Sequence, residues 1–227
     1  FYEIKNGERP DIVSQRLYGT PDYYWTFFII NEYLHDGLAS WPMSQEDLQE
    51  YMRTEYNGFA ITTKPIIRRN TDQLIIDHEN SLSGRFKLGE TITGSQGNAT
   101  GTLTKKLIDL NQLIVQNCTG SFIGDPDATP NTTEVVTGGT SEDSVGTYEV
   151  YKYIEAPFQY YLTSDSQKRI SDNGVHVIGA NASGLLSIIT NRAHLESSND
   201  ERSQMRVISP AYISQFVDKF EELLNND

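Results

Sequence analysis

The opening residues commit the chain to a short strand followed by two proline-started, aromatic-rich helices, and no other stretch restricts the fold as tightly. Tyr2-Glu3-Ile4-Lys5 reads as a strand and Asn6-Gly7-Glu8 as the turn out of it. Arg9-Pro10-Asp11-Ile12-Val13-Ser14-Gln15-Arg16-Leu17-Tyr18 then reads as a helix that Gly19 ends. Thr20 is placed to cap a second helix, with Pro21 where a missing N–H costs nothing and Asp22 at the positive end of the dipole. Tyr24, Trp25, Phe28 and Ile29 fall at helical spacing, and Asn31 closes the element. Because successive helical residues differ by about 100° around the axis, Tyr23, Tyr24, Trp25, Phe27 and Phe28 cannot all enter one small core. Some must face outward, as aromatic residues do at protein interfaces.

This strand-helix-helix start, with its lead-in Y-x-I-K-x-G-E-x-P followed by Ile12, Val13, Leu17, Tyr18 and Gly19, resembles a LysM-type module. The resemblance brings in glycan binding as an alternative function. The next segment departs from it, since Trp41-Pro42-Met43-Ser44-Gln45-Glu46-Asp47-Leu48 opens a third helix where a plain LysM module returns a second strand. Tyr18-Gly19, Tyr24-Trp25, Asn31 and Trp41-x-x-Ser44-Gln45-Glu46 together resemble the baseplate wedge protein 53 family of T4-like contractile-tailed phages, structural proteins with a LysM-like domain.

The other end of the chain carries the same resemblance. Met205-Arg206-Val207-Ile208 reads as a strand, and Ser209-Pro210 as the start of a helix whose Ile213, Phe216, Val217, Phe220 and Leu224 form one apolar stripe. A stripe of that size must be covered, by the chain itself or by another subunit. The resemblance spans roughly residues 1–60 and 200–224. It implies a subunit of a tail baseplate in the virion, assembled in the host cytoplasm beside the other wedge subunits of a six-fold structure, without catalysis or cofactors. The residues expected to meet partners are Tyr24, Trp25, Phe28, Trp41, Ile213, Phe216 and Phe220. Glycan binding is not expected, because Tyr33 to Trp41 replaces the usual exit from the second helix.

Composition narrows the alternatives. A formal charge of −13 opposes nucleic-acid binding, which needs clustered Lys and Arg to neutralise phosphates. The acid excess runs through the whole chain, with 7 basic against 13 acidic residues in 1–84, 4 against 7 in 85–148 and 7 against 11 in 149–227. No stretch approaches the roughly 20 apolar residues of a membrane span. The absence of an initiator Met and of a signal pattern suggests a chain that begins inside a longer precursor or at its first ordered residue. A single cysteine, Cys118, leaves no disulfide framework and reads as a small buried hydrophobe.

The predicted class is α+β. Residues 1–59 hold 13 of the 24 aromatics, whereas 85–148 hold only Phe86, Phe122 and Tyr148 in a Gly- and Thr-rich background of short β-branched runs. We therefore expect a LysM-like module with a third helix at 1–58, a small β parent domain at 59–84 and 149–208, an inserted β module at 85–148, and a C-terminal amphipathic helix at 209–227. Within the insert, Gly89-Glu90-Thr91-Ile92-Thr93-Gly94 is echoed by Thr133-Glu134-Val135-Val136-Thr137-Gly138, an offset of about 44 residues that suggests two equivalent ribbons around one core.

The residues of known chemistries do not converge. His35, His78, His176 and His194 are scattered without metal-ligand spacing. Ser171-Asp172-Asn173 copies one triplet of the penicillin-recognising enzymes without its companions and reads as a turn. Glu46, Asp47 and Glu50 could place paired carboxylates on one helical face, but acids in a first turn complement the dipole, and Ser44 with Asp47 makes a capping pair.

Overall fold

The computed structural model describes residues 1–63, 66–70, 73–77, 82–124, 134–162, 165–170 and 186–225. It is α+β, as expected. Among the described residues the helices are α1 (Pro10–Tyr18), α2 (Trp25–Ile30), α3 (Gln45–Glu55), α4 (Asn191–Ser203) and α5 (Ile213–Asn225). The chain divides into two compact units, one made of Phe1–Tyr51 with Leu195–Asp227 and the other of Met52–His194. The triplet Ser171-Asp172-Asn173, and His78 and His176, lie outside the described residues.

The first unit joins the two ends of the chain. Tyr2–Glu3 pairs antiparallel with Gln204–Met205, Tyr2 opposite Met205, and the Ile4 N–H extends the ladder to the Ser203 carbonyl at 2.8 Å. The strand read over Met205 to Ile208 is thus shorter and one residue earlier. Between the partners, α1 starts on Pro10 and ends on Gly19, whose φ of 78° is the left-handed conformation that glycine adopts without strain. The Thr20 hydroxyl accepts from the Asp22 N–H at 3.3 Å and opens a single 3-10 turn, Pro21–Tyr23, ahead of the short α2. Two further 3-10 turns, Glu32–Leu34 and Gly37–Ser40, lead to α3, where Ser44 Oγ accepts from the Asp47 N–H and donates to its carboxylate. Ile4, Val13, Phe27, Leu34, Trp41 and Met205 form the core.

The second unit is built on a seven-stranded antiparallel sheet. Its order is Glu149–Lys152, Phe59–Thr62, Gln112–Thr119, Thr100–Leu107, Thr91–Gly94, Val135–Gly138, Ser144–Gly146. One ladder therefore runs across residues 84 and 148. Ile61, Ile92, Leu103, Leu113, Val115 and Val136 pack on it. Pro157–Leu162 forms a further sheet between Asp165–Ile170 and Leu186–Thr190, and Ile66–Asn70 pairs with Gln73–Asp77.

The two copies of the internal echo lie side by side, Gly94 opposite Val136 and Ile92 opposite Gly138. Their hydrogen bonds repeat at a constant offset of 44 residues: Gly94 N–H to Ala99 O and Gly138 N–H to Asp143 O, Leu103 N–H to Glu90 O and Thr147 N–H to Glu134 O. The buried glutamates exchange places. Glu90 accepts from the N–H groups of Thr140 (3.0 Å) and Ser141 (2.8 Å) in the second copy, and Glu134 from those of Gln96 (3.2 Å) and Gly97 (2.9 Å) in the first. The glycines of the echo are explained by this exchange, since a Cβ on Gly94 would lie 2.4 Å from Glu134 Oε1 and one on Gly138 2.7 Å from the Glu90 carboxyl.

Helix α4 arises inside the stretch read as β parent domain. Asn191 to Ser203 lacks an apolar stripe, which is the signal by which a helix is usually found. Its start is set by capping: Thr190 Oγ1 accepts from the Ala193 N–H at 3.2 Å, and the Asn191 amide donates to Tyr153 O and Ala156 O.

Candidate functional site

The aromatics of the first unit divide by direction, as a helix of six residues requires. Phe27 points inward, fully buried, stacked on Tyr18 with centroids 6.0 Å apart and near Trp41 at 6.2 Å. Phe28 meets Trp41 edge to face at 5.9 Å. Tyr24 stays exposed, its ring edge-on to Phe28 at 6.3 Å. Trp25 turns to α5, lying 5.0 Å from the Phe220 ring and 6.3 Å from Phe216.

Trp25, Phe216 and Phe220 therefore meet one another, with Ile213 buried beside them in the sequence of the same helix. Helix α5 lies against the N-terminal helices and begins at Ile213, after a turn closed by the Tyr212 N–H on Ser209 O. Burial falls along the stripe: Ile213 and Val217 are covered, Phe216 and Phe220 half-covered, and Leu224 is 64% exposed. Leu224 is thus left uncovered by the chain itself.

Side-chain hooks hold the segment between the short strand and α5. The buried Asn31 amide accepts from the Arg206 N–H at 2.8 Å and donates to Arg206 O at 3.0 Å and Phe27 O at 2.8 Å. It thereby reproduces, with a side chain, the paired bonds of an antiparallel strand. The Tyr18 hydroxyl donates to Ile208 O at 3.0 Å, and the Tyr33 hydroxyl to Gln204 O. Asn199 does the same for Met43, accepting from its N–H at 2.8 Å and donating to its carbonyl at 3.1 Å. Nothing near Asn199 in the sequence marks this role, because its partner is 156 positions away.

On the other side of Trp41 lies a groove of about 650 Å³. Its apolar wall includes Pro10, Tyr24, Leu38, Trp41 and Met43; Glu8, Arg9, Asp11 and Asp47 supply the charges. The Trp41 indole N–H donates to Glu8 O at 2.7 Å. The Glu8 carboxylate accepts from the Tyr2 hydroxyl (2.8 Å) and the Lys5 N–H (3.0 Å) and is ion-paired with Arg16. Burial pushes this carboxyl up, but the Lys5 N–H, the Tyr2 hydroxyl and Arg16 outweigh it and hold it below the ordinary carboxylate value.

The charge of the chain is also unevenly placed. The first unit carries 6 Lys and Arg against 16 Asp and Glu, a net of −10 of the total −13. The excess that reads as spread along the sequence is gathered here, because the acidic C-terminal residues join the acidic N-terminal ones. Among the described residues no cluster of His, Cys, Asp and Glu is placed to hold a metal ion, and no helix is long and apolar enough to cross a membrane.

Residues 1–64, which supply the aromatics, the groove and the start of the sheet, match the family model of base plate wedge protein 53, a family of structural phage baseplate proteins. No curated protein and no solved structure matches the chain.

Proposed function

From the match of residues 1–64 to the base plate wedge protein 53 family, we propose that this chain is a structural subunit of a phage tail baseplate wedge that clamps neighbouring wedge proteins during assembly. The single observation that carries this reading is that the matched residues include 1–51, which bring Tyr24, Trp25, Phe28 and Trp41 and 9 of the 16 acidic residues to the first unit. In this reading Tyr24 and Phe28 belong to a partner-facing surface that the core residue Trp41 backs, while Trp25, Ile213, Phe216 and Phe220 fix the helix that flanks it. Aromatic side chains suit such a task because they bring large contact area at low conformational cost. The six-fold arrangement, the virion location and assembly in the host cytoplasm belong to the same reading.

Co-expression with the other wedge subunits, then size-exclusion chromatography, tests it. The chain is expected to co-elute with at least one of them as a stable complex. Elution of the chain alone at every stoichiometry would contradict the reading.

A further inference from the structure

We propose that the groove beside Trp41 takes an extended, basic peptide segment carrying apolar side chains, contributed by a neighbouring baseplate subunit; this rests on the wedge reading above. Three observations lead there.

First, the groove's polar groups are already in use. The Trp41 indole N–H is bound to Glu8 O, the Glu8 carboxylate to Tyr2, Lys5 and Arg16, and the Asp47 carboxylate to Ser44. A glycan is held by donors and acceptors that point into its site, and these point elsewhere. What the groove presents is apolar: Leu38 is 69% exposed and Tyr24 41%, next to the ring of Pro10. Second, the charge that remains is negative. Arg9 is bonded to Asp11 at 3.1 Å and Glu8 is ion-paired with Arg16, which leaves the Asp47 carboxylate in excess, on a unit whose net charge is −10. A Lys- or Arg-bearing segment is attracted to such a field and an acidic one repelled. Third, the backbone around the groove is fixed. Asn6 Oδ1 accepts from the Gln45 N–H at 2.8 Å, and Asn199 clamps both polar groups of Met43. A preformed wall lowers the ordering cost of binding an extended chain.

The test uses the full chain and overlapping synthetic peptides spanning the other baseplate subunits of the same phage, read by fluorescence anisotropy, with chitin oligomers as a second ligand. At least one basic peptide bearing apolar side chains should bind, more weakly as salt is raised. Leu38→Glu and Asp11→Lys should each weaken that binding by about tenfold or more, the loss typical of a residue at the centre of an interface. Leu223→Glu, an exposed change on α5 outside the groove, should leave it unaltered. Binding of chitin oligomers in place of any peptide would overturn the proposal and make the groove a glycan site. So would peptide binding that both groove variants retain, or the binding of neither ligand class. Co-elution with the wedge subunits separates the two readings: wild type and Leu38→Glu entering the complex alike removes the groove proposal alone, whereas failure of the wild type to enter removes both.

Discussion

At the scale of single residues, the first unit depends on amide side chains that stand in for backbone. Asn31 satisfies both polar groups of Arg206 and one carbonyl of α2 from a buried position and accepts from the Tyr33 hydroxyl at 3.1 Å, so Asn31→Leu strips four hydrogen bonds while keeping the branched shape. Because buried groups left unpaired cost more than the bonds themselves, this change should destabilise the protein by about 2 to 4 kcal/mol. Urea denaturation of the two proteins measures it. Glu90 gives a pH dependence. Burial raises its carboxyl, but the N–H groups of Lys87, Ser141 and Thr140 and the Ser141 hydroxyl outweigh this and hold it below the ordinary value. A carboxyl depressed in the folded state stabilises above its unfolded pKa, roughly 4.3, and that contribution is lost as pH falls through the lower folded value. Glu90→Gln should therefore lower the melting temperature near neutrality and narrow the gap to wild type as the pH is taken below about 4. An equal gap across that range would place the loss in packing instead.

At the scale of elements, α5 is tied to α2 by three rings and then runs past its support. Trp25 contacts Phe216 and Phe220, so Trp25→Ala should cost roughly 2 to 4 kcal/mol, as loss of a well-packed aromatic does. Leu224→Ala, three-fifths exposed in the last turn, should stay within about 0.5 kcal/mol. Paired denaturation curves give both values, and a large loss at Leu224 would mean that the end of the helix is covered in solution. In the sheet, Gly94 and Gly138 each leave room for the glutamate of the opposite copy. Gly94→Ala would set a methyl against Glu134 Oε1, and its melting temperature should fall well below that of an alanine placed at Gly37, where nothing lies within reach of a Cβ. The left-handed φ at Gly37 sets a baseline cost of about 1 kcal/mol for that control.

At the scale of the molecule, the chain's ends share one unit and its middle another. Residues 1–51 by themselves lack the strand partner, the Asn31 and Tyr18 acceptors and the cover over Trp25. A fragment of those residues should show little cooperative structure by circular dichroism and gain it when residues 195–227 are added in trans. A fragment that melts cooperatively alone would show that the short ladder is dispensable. Residues 85–148 supply the strand Gln112–Thr119, which pairs directly with Phe59–Thr62, and most of the buried residues around Ile61. Replacing them by a Gly/Ser linker should abolish cooperative melting of the second unit, because its first strand would lose a neighbour and its core.

The local elements were written in the sequence where short-range chemistry decides them. Pro10 and Gly19 bound α1, Thr20 and Pro21 open the second helical segment, and Ser44 with Asp47 starts α3. Each signal acts over a few residues, through φ preferences and capping bonds. The echo of Glu90 in Glu134 was visible too, as an offset of about 44 residues. That each glutamate serves the other copy's turn required the antiparallel pairing of Thr91–Gly94 with Val135–Gly138, which no local signal encodes. Helix α4 leaves no such signal, because it has no apolar stripe and rests on one cap and the hydrogen bonds of Asn191. The partner of Tyr2–Glu3, the cover for Trp25 and the second face of the Trp41 groove all arise from contacts between residues far apart in the chain. Tertiary structure alone decided these, since chain closure over such distances is set by the packing of the whole unit and leaves no periodic trace in either segment.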